Sequence, residues 1–261
     1  MIGLEDIKSE INQLINYSKV QRIRRRRGLS ANSLNLHLVF YGNPGTGKTV
    51  MARYLARELK KNKILKTGQL IEADRSIMVA PGPGQTAPLV HEVVEAALGG
   101  ILFIDEAYTL TASRDSYGLE AVNTLLKLME DYKDDLVVIV AGYDDLMEDF
   151  VNSNPGLRSR FTKHFHFRDY NAVELVQIFD ILCKKRDYTY SEDAATALLA
   201  YFQDIIDHKD ENFANGRLVR NIFEEIIAKQ AIRVGNGQNL SRAALMMIAE
   251  EDVTAVSLKH T

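Results

Sequence analysis

The sequence predicts an α/β fold in which helices cover a parallel sheet, followed by a smaller helical domain. Three observations carry that expectation. The runs GILFID (100–105) and LVVIVAG (136–142) are continuously apolar and bounded by turns, as strands buried on both faces are in helix-covered parallel sheets. Stretches with helical periodicity lie between such runs, so strands and helices alternate as far as about residue 168. After Tyr170 the alternation stops, and 171–186, 191–207, 215–233 and 239–250 all favour helix. The expected domains are an α/β domain over 1–168 and a helical domain with a C-terminal extension over 169–261.

The elements follow in order. Leu4, Ile7, Ile11, Leu14 and Ile15 fall at helical spacing and predict an amphipathic helix over 4–27 that closes near Gly28. LHLVFY (36–41) is a short apolar run ending at glycine and reads as a strand, with a helix from Lys48 to about Lys61 after it. GQLIEA (68–73) reads as a second strand. VAPGPGQTAP (79–88) then holds three of the chain's five prolines and two of its sixteen glycines. Proline fixes its own φ and lacks an N–H, while glycine tolerates almost any backbone angle, so a stiff irregular loop is expected. A helix from about Ala87 to Leu98, the GILFID strand, a helix over 118–131, the LVVIVAG strand and a last strand at KHFHF (163–167) complete the domain.

Composition bounds the function. The 261 residues are 46% hydrophobic and 26% charged, ordinary for a water-soluble protein. No apolar run approaches the ~20 residues that a membrane-spanning helix needs. The N-terminus lacks a basic segment followed by an apolar core, so no signal peptide is expected. The single cysteine, Cys183, cannot form an intramolecular disulfide, which fits a reducing cytoplasm. A net charge of −3 argues against broad nucleic-acid binding. The local exception is RIRRRRG (22–28), five arginines in six positions, which reads either as a solvated helix end or as a contact for phosphate or an acidic partner.

The chemistry concentrates in two motifs. GNPGTGKT (42–49) fits G-x-x-x-x-G-K-[ST] at every fixed position and lies between a strand and a helix, as a phosphate-binding loop must. Gly42, Gly45 and Gly47, with Asn43, Pro44 and Thr46 between them, let consecutive N–H groups curl around phosphate oxygens at a helix N-terminus. Lys48 can reach the β- and γ-phosphates of a nucleotide, and the Thr49 hydroxyl is placed to ligate Mg²⁺. About 55 residues later, ILFIDEA (101–107) ends a buried strand in two adjacent carboxylates, at the edge where open α/β sheets bind ligands. Asp105 is expected to hold the Mg²⁺ and Glu106 to polarise the attacking water. Such a chain is most simply a Mg²⁺-dependent nucleotide triphosphatase.

Two pairs of arginines add to this. NPGLRSRF (154–161) is expected in a loop between the last two strands, where Arg160, or Arg158 in its place, could stabilise a γ-phosphate bound by a neighbouring subunit. Arg217 and Arg220 sit at i, i+3 on one helical face, either sensing nucleotide or making a structural ion pair.

With these motifs in hand the chain resembles the AAA+ ATPases, and within them the branch of red-type Rubisco activase and stage V sporulation protein K. The likeness runs over about residues 2–230, through IGLEDIK, HLVFYGNPGTGKT, ALGGILFIDEAYTL, LLKLMEDYKDDLVVIVAGY, NPGLRSRF and NGRLVRNIFE. The resemblance implies a five-stranded parallel sheet of order 5-1-4-3-2, a helical lid, ATP and Mg²⁺ as cofactors, and a homo-oligomeric ring, usually a hexamer, that pulls on a protein partner. By motif position it implies Walker A at Lys48 and Thr49, Walker B at Asp105 and Glu106, the finger at Arg160 and sensor 2 at Arg217. Ile2 and Gly3 fall where family members flank the adenine.

Two departures stand out. VAGYD places Tyr143 where most AAA+ proteins carry a polar Asn or Thr as sensor 1, leaving Tyr143 and Asp144 as alternatives for orienting the water. Relatives in this branch read Gly-Tyr-Val-Gly before QTA, whereas here Pro81-Gly82-Pro83-Gly84 precede Gln85-Thr86-Ala87. The aromatic wedge of a gripping loop is missing. The expected function is ATP-driven remodelling of a protein; the alternative is a nucleotide-dependent switch or scaffold with little threading. If the chain does grip, residues 111–117, including Arg114 and Tyr117, are the candidates.

Overall fold

The structure, a computed structural model, describes residues 2–32, 35–112, 115–211, 213–237 and 240–256; Arg114 lies outside the described residues. By their contacts the residues divide into two compact units, one holding 4–42 and 47–167, the other the N-terminal residues before Leu4, 43–46 and 168 onward.

The first unit is a parallel sheet with its helices. α1 (Glu5–Arg26) buries Ile7, Ile11, Leu14 and Ile15, the stripe that the sequence predicts, and adds Ser18, whose hydroxyl donates to the Leu14 carbonyl at 2.7 Å. β1 (Leu38–Tyr41) leads to α2 (Lys48–Lys61), and β2 (Leu70–Ala73) to a single turn, α3 (Arg75–Met78). α4 (Thr86–Ala97), β3 (Ile101–Ile104), α5 (Thr109–Ala112), α6 (Ser116–Asp131) and β4 (Val137–Gly142) follow. α7 (Asp144–Asn152), α8 (Pro155–Arg160) and β5 (Lys163–His166) close the unit. The strand order is β2-β3-β4-β1-β5, all parallel, which is the expected 5-1-4-3-2. In register, Val39 of β1 faces Val140 of β4 on one side and His164 of β5 on the other. β3 and β4 are buried along their whole length, which is why their sequences show no alternation.

Four helices of this unit, α3, α5, α7 and α8, were not expected from the sequence. NPGLRSRF is not a loop but carries α8: the Asn154 side chain accepts from the Gly156 N–H at 2.7 Å, and Pro155 occupies the first helical position, where its missing N–H costs nothing. Ahead of the proline-rich loop, Asp74 caps α3 by accepting from the Ser76 N–H at 2.7 Å.

In the second unit, α9 (Ala172–Lys185), β6 (Thr189–Tyr190), α10 (Glu192–Asp207) and α11 (Asn215–Asn236) are followed by α12 (Arg242–Met246), β7 (Met247–Ile248) and α13 (Glu250–Thr254). Leu175, Phe179, Leu198, Phe202, Ile222 and Phe223 form its buried centre, with Phe179 edge-on to Phe223 at 5.4 Å. The unit is thus not purely helical, because β6 and β7 pair in parallel. The single helix expected over 239–250 is interrupted for a physical reason. The buried Gln230 amide donates to the carbonyls of Leu245 (3.0 Å) and Ala244 (3.2 Å), and Arg233 donates to that of Met247 (2.9 Å). Those are carbonyls that a continuous helix would have kept for itself. Among the described residues no helix is long and apolar enough to cross a membrane.

Candidate functional site

In the sheet unit Gly42, Asp105, Glu106 and Tyr143 follow the C-terminal ends of β1, β3 and β4, and Lys48 and Thr49 open α2. Gly42 follows β1 with φ 134°, and its N–H donates to the Gly142 carbonyl at the end of β4 (3.2 Å). A Cβ here would collide with the Phe167 carbonyl, so only glycine lets the chain turn into the loop. Gly47, also left-handed at φ 99°, is the N-cap of α2, and Lys48 and Thr49 occupy that helix's first turn. Lys48 Nζ donates to the Gly42 carbonyl at 2.6 Å, folding the side chain back towards the end of β1. The N-terminus of a 14-residue helix thus follows the loop directly in the chain, as anion binding at a helix start requires.

Asp105 and Glu106 follow directly on β3. The Asp105 carboxylate accepts from the Glu106 N–H at 3.1 Å, and Glu106 is held at φ 47°, a conformation that a non-glycine residue adopts only when its surroundings impose it. Here they do: the Ala107 N–H is fixed to the Ala141 carbonyl (3.1 Å), while the Glu106 carbonyl accepts from both the N–H (2.9 Å) and the hydroxyl (2.7 Å) of Thr109. The exposed Glu106 carboxylate thus leaves the strand in a fixed direction. It lines a cavity of about 580 Å³ together with Asp74, Arg75, Val79, Pro81 and Tyr117.

Arg75 was not anticipated from sequence. Its guanidinium donates to the Thr109 carbonyl (2.9 Å) and pairs with Asp115, which itself caps α6 through the Gly118 N–H (2.6 Å). One arginine so joins α3, α5 and α6 around the cavity. The Asp-x-Ser cap at 74–76 was the available signal for a helix start there.

Tyr143 is the N-cap residue of α7, with its ring 6.2 Å from that of Tyr108. Burial first, then the charge of Glu106, pushes the Tyr108 hydroxyl above its ordinary pKa. Asp144 is engaged elsewhere, 3.2 Å from His166 Nε2. Arg160 is held within its own unit, its guanidinium 3.3 Å from Glu130 and 3.5 Å from the Gly156 carbonyl. Arg158 is exposed and makes no ion pair among the described residues. The arginine run ends α1: Arg24 donates to the Ser30 carbonyl and Arg25 to Asp134, each at 3.0 Å, and basic side chains suit a helix C-terminus.

The second unit holds the other expected residues. The loop tip 43–46 belongs to it: the Gly216 N–H donates to the Gly45 carbonyl (3.2 Å), and the Tyr170 hydroxyl to that of Thr46 (2.8 Å). Gly3 (φ 59°) packs on Tyr170 and Glu174, where a Cβ would collide with the Glu174 carboxylate. Glu174 is fixed by Arg168 (2.7 and 2.8 Å) and by a capping box with Asn171. Arg217 and Arg220 are both exposed at the start of α11 and neither makes an ion pair among the described residues, so the structural ion-pair reading is not borne out.

The donor chemistry suits a hard cation, with a carboxylate at Asp105 and a hydroxyl at Thr49, both in the sheet unit. Three or more clustered His, Cys, Asp or Glu ligands do not occur among the described residues.

Comparison with known proteins agrees with the geometry. Residues 38–169 match the ATPase family associated with various cellular activities (AAA), and 171–260 the AAA lid domain. The chain is 40% identical to protein CbbX of Cereibacter sphaeroides over 259 residues, 98% of this chain and 83% of that one. It is 40% identical to the chloroplastic ribulose bisphosphate carboxylase/oxygenase activase of Cyanidioschyzon merolae (97% and 87% covered) and 37% identical to stage V sporulation protein K of Bacillus subtilis (97% and 80%). The fold resembles the AAA domain of FIGL-1 in complex with ADP, at TM-score 0.67 and 17% identity, covering 97% of this chain and 80% of that one. The chain belongs to the AAA ATPase family, in the branch of CbbX and stage V sporulation protein K, and is an ATP-hydrolysing enzyme.

Proposed function

We propose that this enzyme works as a homo-oligomeric, hexameric ring in the cytoplasm and spends Mg²⁺-dependent ATP hydrolysis on remodelling a protein partner. The observation that carries the reading is the shared cavity: Glu106 and the base of the proline-rich loop line the same space. A change around the hydrolytic carboxylate is therefore felt where the loop begins. In this reading the backbone of 42–47 and Lys48 hold the phosphates. Thr49 and Asp105 hold Mg²⁺, which neutralises developing charge, and Glu106 accepts the proton of the attacking water. Tyr143 positions that water, Arg160 completes a neighbour's site, Arg217 responds to nucleotide, and Ile2 and Gly3 flank the adenine. One relative is named as an activase of ribulose bisphosphate carboxylase/oxygenase, which supports a protein as the partner.

A second reading, a nucleotide-dependent switch or scaffold, is favoured by one observation: Gly82 and Pro83 replace the aromatic and aliphatic residues that a gripping loop needs. One set of assays separates the two. Phosphate release should rise more than linearly with protein concentration, and Glu106→Gln should lower turnover by ~10²–10⁴-fold while ATP is retained. Arg160→Ala mixed with Lys48→Ala should regain turnover, with Arg158→Ala run in parallel to decide which arginine acts. Strictly linear activity, with no regain in either mixture, would remove the ring. Stimulation of turnover by an unfolded polypeptide supports remodelling; its absence supports the switch.

A further inference from the structure

Asp169, just before α9, collects donors from three distant parts of the second unit. Its Oδ1 accepts from Asn43 Nδ2 (3.0 Å) and Asn215 Nδ2 (2.7 Å), and its Oδ2 from Lys209 Nζ (2.5 Å). Burial works against ionisation of this carboxyl, but the hydrogen bonds from Lys209, Asn215 and Asn43 outweigh it and hold its pKa below the ordinary value. Asn215 is fully buried at φ 48°, and its remaining polar capacity is also spent: Nδ2 donates to the Phe213 carbonyl (2.9 Å) and Oδ1 accepts from the Tyr170 N–H (2.8 Å). A left-handed residue other than glycine persists where its surroundings over-determine it. Asn215 opens the helix whose third residue is Arg217.

The loop tip meets the same helix directly. Cβ atoms built on Gly45 would stand 2.7 Å from the Arg217 nitrogen and 2.9 Å from that of Gly216, and one on Gly216 would stand 2.9 Å from the Gly45 carbonyl. Two glycines thus bring the backbones together, and Asp169 ties the side chains beside them. Residues 43–46 are at the same time bonded covalently to Gly42 and Gly47, which belong to the sheet unit.

We propose that Asp169 is a positioning residue that couples the phosphate-binding loop to the first turn of α11, so that a change imposed on residues 43–46 by nucleotide is passed to Arg217 through Asn43, Asp169 and Asn215. This rests on the reading of 42–49 as the phosphate-binding loop and adds a route by which the helix learns of the phosphates other than direct contact by Arg217. Asp169 touches no reacting atom in this scheme.

The test is hydrogen exchange of the full chain with and without saturating ADP, so that a weaker affinity is not mistaken for lost coupling. ADP should slow exchange in the first turns of α11 by about tenfold or more in wild type, and Asn43→Ala, which removes only the loop's arm of the hub, should lose most of that protection. In turnover, Asn43→Ala and Asp169→Ala should each lower kcat by roughly 10-fold or more, as expected for a hydrogen bond to a charged group, and the double variant by no more than the worse of the two. Should Asp169→Ala fail to fold, the exchange response of Asn43→Ala decides alone. Undiminished protection in Asn43→Ala, or effects that multiply in the double variant, would overturn the proposal. Lys48→Ala tests the loop reading separately, through loss of ADP binding itself.

Discussion

His37 should make the protein acid-sensitive by an amount that can be worked out. The ring lies just before β1, only 5% exposed, edge-on to Phe161 at 6.1 Å, and its Nδ1 accepts from the Val138 N–H at 3.0 Å. Burial first, then the Arg160 charge, against a smaller opposing effect of Glu130, lowers its pKa from 6.5 to about 4. A histidine kept neutral in the folded state but free to protonate when unfolded contributes stability above the unfolded pKa, and that contribution is lost as pH falls from about 6.5 towards 4. At pH 5 the two-state expression, RT ln[(1 + 10^1.5)/(1 + 10^−1)], gives about 2 kcal/mol lost relative to pH 8. Moving the folded value up to about 5 changes the result only to about 1.6 kcal/mol, because the unfolded state dominates the ratio. The assay is urea unfolding followed by far-ultraviolet circular dichroism, since the chain has no tryptophan. His37→Asn is the comparison: its Oδ1 takes the place of Nδ1 for the Val138 N–H but cannot titrate, and the lost ring packing is independent of pH. Between pH 8 and 5 the wild type should lose about 2 kcal/mol more than His37→Asn, carboxylates and the other histidines cancelling in the difference. Equal losses in the two proteins would refute the reasoning.

Two further substitutions test local packing. Gly118→Ala should lower stability by about 1–3 kcal/mol in the same titration, because its Cβ would meet the Leu110 carbonyl and stand 2.8 Å from Arg75 Nη1, neither of which has room to yield. Asn171→Ala removes the acceptor for the Glu174 N–H (2.9 Å) at the start of α9 and should cost about 1 kcal/mol by thermal melting, while Asn171→Ser should restore most of it.

What could be read from the sequence divides along a physical line. β3 and β4 were legible because strands covered on both faces have no reason to admit polar residues. The candidate loop at 42–49 was legible because cradling phosphate calls for glycine, lysine and hydroxyl at set spacings within eight residues. α8 was read as a loop because six residues are too few for periodicity, although its Asn154-Pro155 start was a helix signal in plain view. The rest was hidden by separation along the chain. Asp169 gathers Asn43 and Asn215, 126 and 46 residues away, and His37 meets Val138 across 101 residues. Gln230 breaks the expected C-terminal helix from a different helix altogether. None of these leaves a local pattern, because the hydrogen bond that explains each residue is made only once the chain has folded.

The proline-rich loop is the place where fold and function meet most directly. Its base is rigid: the Ala80 N–H donates to the hydroxyl of the fully buried Thr86 (3.2 Å), and both prolines between them restrict the backbone. Upstream, α3 is clamped through Arg75 to the Thr109 carbonyl and to the Asp115 cap of α6. Thr109 in turn is hydrogen-bonded to the carbonyl of Glu106, so a continuous set of contacts runs from the backbone of Glu106 to the helix that precedes the loop. The base of the loop is thereby tied to the backbone of Glu106. Gly82 and Pro83 in the loop offer backbone and ring edges but no aromatic wedge, whereas Tyr117 supplies an aromatic ring among the residues that line the cavity with Pro81. In the remodelling reading, then, the grip belongs to the segment after β3 and the loop transmits motion. In the switch reading the same rigidity presents a fixed surface whose orientation reports the state of Glu106. The geometry is common to both; what separates them is whether an unfolded polypeptide accelerates turnover, and whether Tyr117→Ala abolishes that acceleration while leaving unstimulated hydrolysis in place.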